Sequence, residues 1–294
     1  MGTGPTIEVL CASHSPQMAQ DVEKREGLRF RAGFERVAAA VQEFDPTLLV
    51  YFGPDHMRAL AGIAPCFTVV ETATGYGDWG TPKEDYLVPP ERTEALTDHL
   101  VAAGIDIAVA EHLSLDHGFG QTTADLFGSL AAVPMIPIVI NCVGTPLATL
   151  ERTAALGRAV GDHLRTLPDD ERVLVVASGG ISHAPPSLIP GVKKLSEAER
   201  QALIADNIAK AAEAINPGWD EDFLARMAGD SWSSMATLTP AELQPAGTGG
   251  AEVRTWVAAQ FTGGRPLATV AYEPVEEWIT GMGVAASAGL TPAS

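Results

Sequence analysis

Four histidines each follow an apolar run: His14 in "CASHSP", His56 in "YFGPDHMRAL", His117 in "LSLDHGFG" and His183 in "ASGGISHAPP". Imidazole suits two tasks near neutral pH, ligating a transition metal and moving a proton, because its unperturbed pKa lies near ~6.5. Asp55 and Asp116 each stand directly before one of these histidines. A carboxylate there can hydrogen-bond an imidazole and set its tautomer, or it can simply form a turn or cap. Gly-Pro, Gly-Gly and Pro-Pro pairs nearby stiffen the loops that carry the rings. Cys11, Cys66 and Cys142 are widely spaced in apolar sequence with no CxxC pair, so they read as buried thiols. Histidine plus carboxylate is then the available metal chemistry. Two imidazoles and one carboxylate on one face of an octahedron suit an oxygen-activating ferrous centre, and the same ligands suit zinc with a hydrolytic water. Glu273, Glu276 and Glu277 in "AYEPVEEWITGMG" are candidates for the acid.

The elements that must position these side chains are legible as runs. Strand-like stretches occur at 7–12, 47–52, 63–70, 105–110, 134–142, 172–178 and 267–273. Most are continuously apolar rather than alternating, as for strands covered on both faces. Helical patterns lie between many of them. Phe34, Val37, Val41 and Phe44 form one apolar stripe. Thr145 reads as an N-cap with Pro146 at the first helical position and Leu156, Val160 and Leu164 on one face. Ser196 and Glu199 form a capping-box pattern before Ile204, Ile208 and Ile215, and "NPG" ends that run. The expected fold is therefore α/β, a mixed or mostly parallel central sheet covered by helices on both faces. It is read as one catalytic domain over 1–294 with a loose tail from about 284. In such a sheet, ligands bind beyond the carboxyl ends of the strands, where His14, His56 and His183 fall and where His117 arrives by a longer loop. His99 and His163 lie inside helical patterns and read as solvated faces; His112 is ambiguous.

A chain of 294 residues can bury a large core, and its composition is that of an ordinary globular protein. A net charge of −18 argues against nucleic acid and anionic membrane surfaces as partners. A small anionic substrate stays compatible, because a metal and a few arginines can set the local field. Apolar runs are strand-sized, and "MGTGPTIEVL" lacks a basic region followed by a signal-type apolar core, so the expectation is a cytoplasmic enzyme.

Taken together, "LCASHSP", "YFGPDHM", "GDWG", "LDHGFGQ", "VPMIPIVINCVGTPL", "SGGISHAPP", "RTWVAA" and "EEWITGMG", in that order, carry a resemblance over nearly the whole chain. The sequence resembles the class III (LigB-type) extradiol ring-cleaving dioxygenases. The resemblance implies a LigB-type fold, a non-haem Fe(2+) cofactor, and cleavage by O2 of a catechol with a short acidic side chain, such as 3-(2,3-dihydroxyphenyl)propionate, in aromatic catabolism. It implies His14, His56 and Glu277 as iron ligands, with His117 and His183 as an acid–base pair, and a homo-oligomer. Such general acid–base help is worth about 100- to 10,000-fold in rate. Arg58 and Arg254 are candidate partners for a substrate carboxylate, against a surface or structural role for each. The competing readings are a zinc hydrolase with the same ligands and a non-catalytic binding protein of the same fold. Retention of both His117 and His183 speaks against the latter.

Overall fold

A computed structural model describes residues 4–60, 62–186 and 195–291. Its strands, in chain order, are β1 (Thr6–Ala12), β2 (Leu48–Pro54), β3 (Phe67–Val70), β4 (Ala73–Gly75), β5 (Ala108–Ala110), β6 (Leu113–Leu115), β7 (Met135–Ile140), β8 (Arg172–Ser178), β9 (Ala268–Val275) and β10 (Thr280–Ala286). The helices that matter below are α1 (Leu28–Phe44), α2 (Pro90–Ala102), α3 (His117–Phe127), α4 (Leu150–Leu164), α5 (Glu197–Ala212), α6 (Pro217–Ala228) and α7 (Val253–Gly263).

Eight strands form one sheet in the order β5-β3-β7-β2-β8-β1-β10-β9, and β4 and β6 form a parallel pair of their own. The centre β7-β2-β8-β1 is parallel, whereas β10 and β9 run antiparallel at one side and β3 is antiparallel to β7 at the other. Side-chain alternation explains the uninterrupted apolar runs. Val9, Val50, Phe52 and Val175 point to one core, while Leu10, Leu49, Tyr51 and Val176 point to the opposite one. Each face is dry, so both registers of every central strand must be apolar.

Helix α7 lies against β1, β2 and β8 on its inner side and against α4 on its outer side. The approach is close: a Cβ on Gly157 or Gly161 would fall 2.3 or 2.4 Å from the carbonyl oxygens of Ala258 or Thr262. Such a helix is buried all round, and Val253 through Thr262 are all buried.

Two expectations about elements change. Helix α4 starts at Leu150 with Thr149, not Thr145, as its cap; the Thr149 hydroxyl accepts the Arg152 amide at 3.2 Å. The preceding loop is instead organised by Asn141, whose Oδ1 accepts the Val143 and Gly144 amides at 3.2 and 2.9 Å. The stretch from 284 is not loose. Val284–Ala286 complete β10 between β1 and β9, and Ser287 and Leu290 are buried beyond it. Its small residues read as a tail, yet they are what close packing against β1 requires; residues 292–294 lie outside the described ones. The capping box at Ser196 and Glu199 is present at the head of α5. The segment after "SHAPPS" lies mostly outside the described residues, as do the side chains of Ile204 and Ile208.

Candidate metal and acid–base centre

His14 follows β1, His56 follows β2, and Ser178 ends β8 between them, so the carboxyl ends of three adjacent parallel strands converge. The loop holding His14 is pinned on both sides of the ring, to β10 and to the turn that precedes it. The Ser13 amide donates to the Gly283 carbonyl at 2.9 Å, and the Ser15 hydroxyl donates to that of Trp278 at 3.0 Å. His117 is the first residue of α3, which Asp116 caps by accepting the Gly118 amide at 2.9 Å. His183 follows β8 and is held by its amide on the Ala246 carbonyl at 2.9 Å.

A ring nitrogen of each of His14, His56 and His117 lies within 4.8 Å of the others. His14 and His56 stand perpendicular at 5.4 Å between centroids, whereas His56 and His117 are stacked at 4.3 Å and 15°. Every ring has its Nδ1 occupied. That of His14 lies 2.7 Å from Ser178 Oγ, that of His56 3.1 Å from Asp116 Oδ2, that of His117 2.8 Å from Asp78 Oδ2, and that of His183 3.3 Å from the Ile181 carbonyl. This leaves Nε2 as the working nitrogen throughout.

The carboxylate that completes the group is Glu252, at the entry to α7. Its Oε1 lies 3.1 Å from His56 Nε2 and 3.5 Å from His183 Nε2, and its Oε2 accepts the Gly180 amide at 2.8 Å. The group is buried, and its position at a helix N-terminus favours negative charge. Glu277 does not reach this centre. It is exposed, as is Glu276, in the turn between β9 and β10 where Trp278 takes the inward direction. Glu273 also serves elsewhere, accepting the Arg29 and Phe30 amides at the head of α1 at 2.8 and 3.0 Å. Asp55 is likewise a turn former: its carboxylate accepts the Arg58, Ala59 and Leu60 amides at 3.2, 3.0 and 3.1 Å and holds no imidazole. Asp116 does hold one, that of His56.

Burial drives His14 down to about 3, against the raising influence of Glu252, so the ring is neutral and free to donate its lone pair. Burial also works to lower His56, but Asp116 and Glu252 outweigh it and push it well above the usual range. Desolvation works to raise Glu252, but the His183 and His56 imidazoles outweigh it and hold its carboxyl well below the usual carboxylate range. Two neutral or neutralisable imidazoles and a buried carboxylate make an N/O donor set that fits a divalent transition ion.

The chain matches, over residues 8–283, the family described as the catalytic LigB subunit of aromatic ring-opening dioxygenase. It belongs to that family. It is 32% identical to a 2,3-dihydroxyphenylpropionate/2,3-dihydroxicinnamic acid 1,2-dioxygenase of Photorhabdus laumondii, over 97% of this chain and 98% of that protein. A protein of the same name from Mycobacterium sp. is 37% identical over 86% of this chain and 88% of its own length, and one from Escherichia coli 34% over 93% and 96%. This LigB protein is thus an extradiol, ring-opening dioxygenase acting on a catechol-type aromatic. Its fold is the mixed, mostly parallel α/β sheet expected. Among the described residues, no helix is long and apolar enough to cross a membrane.

Sequence reasoning missed Glu252, Asp78 and Ser178. A signal existed for Glu252: "GGAEVRTWVAA" sets an acid at the head of an apolar helix, and an acid there must be buried with partners or pay a large desolvation cost. Asp78 sat in the quoted "GDWG" without a role. Arg254 is structural, donating from Nε to Ala148 O at 2.8 Å and from Nη1 to Ala251 O at 3.0 Å. His99 and His163 are half-buried and face each other across α2 and α4 at 5.3 Å, away from the centre.

Proposed function

We propose that the enzyme opens the ring of a catechol bearing a short acidic side chain, such as 3-(2,3-dihydroxyphenyl)propionate, at a ferrous ion held by His14, His56 and Glu252. The observation that carries this reading is the buried Glu252 carboxylate set against His56 Nε2, with the His14 ring perpendicular to that of His56. Imidazole lone pairs lie in the ring plane. The His14 ring is perpendicular to those of both His56 and His117, so ring angles alone admit either as its partner. The Glu252 carboxylate stands against His56 Nε2 at 3.1 Å, and this favours His56 as the ligand with His117 beside the metal. A ferrous ion in such a site supplies a common binding point through which electron density passes between the catechol and dioxygen.

The protein's own groups handle protons. His117, its Nδ1 tied to Asp78, and His183, its Nδ1 turned to Ile181 O, each present Nε2. One removes the catechol hydroxyl proton as the substrate binds, and a protonated ring returns a proton as the ring opens. His14, His117 and His183 are buried, so bulk water does not compete for these transfers. The names of the relatives support the acidic side chain.

The test is anaerobic reconstitution with Fe(II), followed by oxygen uptake and the yellow ring-opened chromophore across a panel of substituted catechols. Iron-dependent uptake with an acidic 3-substituted catechol is the expected result. Equal or greater turnover with zinc, and no uptake of oxygen, would refute it.

A further inference from the structure

We propose that Arg58 selects for the anionic ring substituent, and that it does so beside the same carboxylate oxygen that steadies His117. The proposal rests on the ring-cleavage reading above and goes beyond it by naming the residue that recognises the side chain.

Arg58 lies two residues past His56, after Met57 turns the chain with a left-handed backbone at φ 59°. Its guanidinium carbon sits 5.3 Å from the centroid of the Tyr76 ring, which supports the plane of the group. Its Nε is 3.8 Å from Asp78 Oδ2, the atom that lies 2.8 Å from His117 Nδ1. At that separation no hydrogen bond forms, and the Arg58 side chain donates none to any described residue. Asp78 pairs with it only at ion-pair distance, while both its oxygens also serve His117: Oδ1 accepts the backbone amide at 2.9 Å and Oδ2 faces the ring. The Arg58 side chain is 41% exposed while that of Asp78 is 8%, so the guanidinium stands at the open side of the pair.

Charge makes the position decisive. The chain carries −18 overall, and two buried carboxylates, Asp116 and Glu252, stand among the imidazoles. A substrate carboxylate brought there meets a repulsive field unless a cation receives it. Arg254, the other candidate, is buried and committed to two backbone carbonyls. Arg58 keeps its planar fork of donors, which matches a carboxylate in a bidentate pair.

The experiment compares 3-(2,3-dihydroxyphenyl)propionate with the neutral 3-propylcatechol, both as kcat/KM and as anaerobic dissociation constants by calorimetry on Fe(II)-loaded enzyme. Wild type is expected to favour the acid. Arg58→Gln should cut that preference about 10- to 100-fold, through KM and Kd rather than kcat, and Arg58→Lys should recover part of it, since a point charge lacks the fork. A preference unchanged in Arg58→Gln, or a loss shared equally by both catechols, overturns the assignment while leaving ring cleavage intact. Absence of turnover and of binding for both catechols in wild type overturns the ring-cleavage reading, and this one with it.

Discussion

Asp116 holds the ring of His56, sixty residues away in sequence, rather than that of its neighbour His117: its Oδ2 lies 3.1 Å from His56 Nδ1 and accepts the His56 amide at 2.8 Å. Asp55, which does precede His56, spends its carboxylate on three amides of the following turn. The two acids therefore differ in what they control. Asp116→Asn should weaken metal affinity about 10- to 100-fold by releasing a ligand ring. Asp55→Asn should cost on the order of 1 kcal/mol of stability through the turn with metal affinity retained. Metal titration and denaturant melts of both variants read the two effects separately; the same metal affinity in both would count against the division.

Glu252 and Glu277 form a second contrast. Glu252→Gln is expected to lose most bound iron after anaerobic reconstitution, whereas Glu277→Gln, altered at an exposed turn, should keep it and stay within about 0.5 kcal/mol of wild-type stability. Iron content by elemental analysis decides. Iron lost from Glu277→Gln but not from Glu252→Gln would remove Glu252 from the ligand set.

Gly249 packs against the face of His183, where a Cβ would lie 2.3 Å from Nε2. The glycine is needed for that approach rather than for its backbone angles. Gly249→Ala should therefore displace His183 and lower kcat about 100-fold or more, with iron content preserved. Wild-type turnover in this variant would mean that His183 has no part in proton transfer.

Asp220, buried in α6, accepts the Ser182 amide at 3.0 Å and hydroxyl at 2.7 Å and the Tyr272 hydroxyl at 2.7 Å, so it anchors the loop leading to His183. Burial pushes its carboxyl up to about 6 although the Ser182 and Tyr272 hydrogen bonds pull the other way. Its folded pKa is raised above the ordinary value of 3.8, so between those values the folded chain keeps a proton that the unfolded chain has released. Stability from this group is thus present below the lower value and lost as pH rises through about 6, by about 3 kcal/mol in total. Urea unfolding of wild type and Asp220→Asn across this range should show a steeper decline with pH in wild type. Parallel pH profiles would show that Asp220 is not held protonated.

Strand positions were legible because burial on both faces leaves no choice of residue type: "RVLVVAS" and "TLLVYF" can only be central strands, and they are β8 and most of β2. The α1 stripe and the Ser196 box were legible for the same reason, local periodicity and local hydrogen bonding. Strand β10 was not, since "TGMGVAA" is small and glycine-rich, and its register is imposed by β1 and β9. The meeting of His14 and His56 followed from strand ends alone. The identity of their partners did not, because Glu252, Asp78 and Ser178 come from segments distant in the chain, and hydrogen-bond geometry within a few ångströms depends on how those segments pack. Residue type and spacing thus determined which chemistry this chain can perform and at which edge of the sheet. Only the tertiary structure decided which acid stands against which imidazole, because a carboxylate beside a histidine in sequence is as free to cap a turn as to reach across the site.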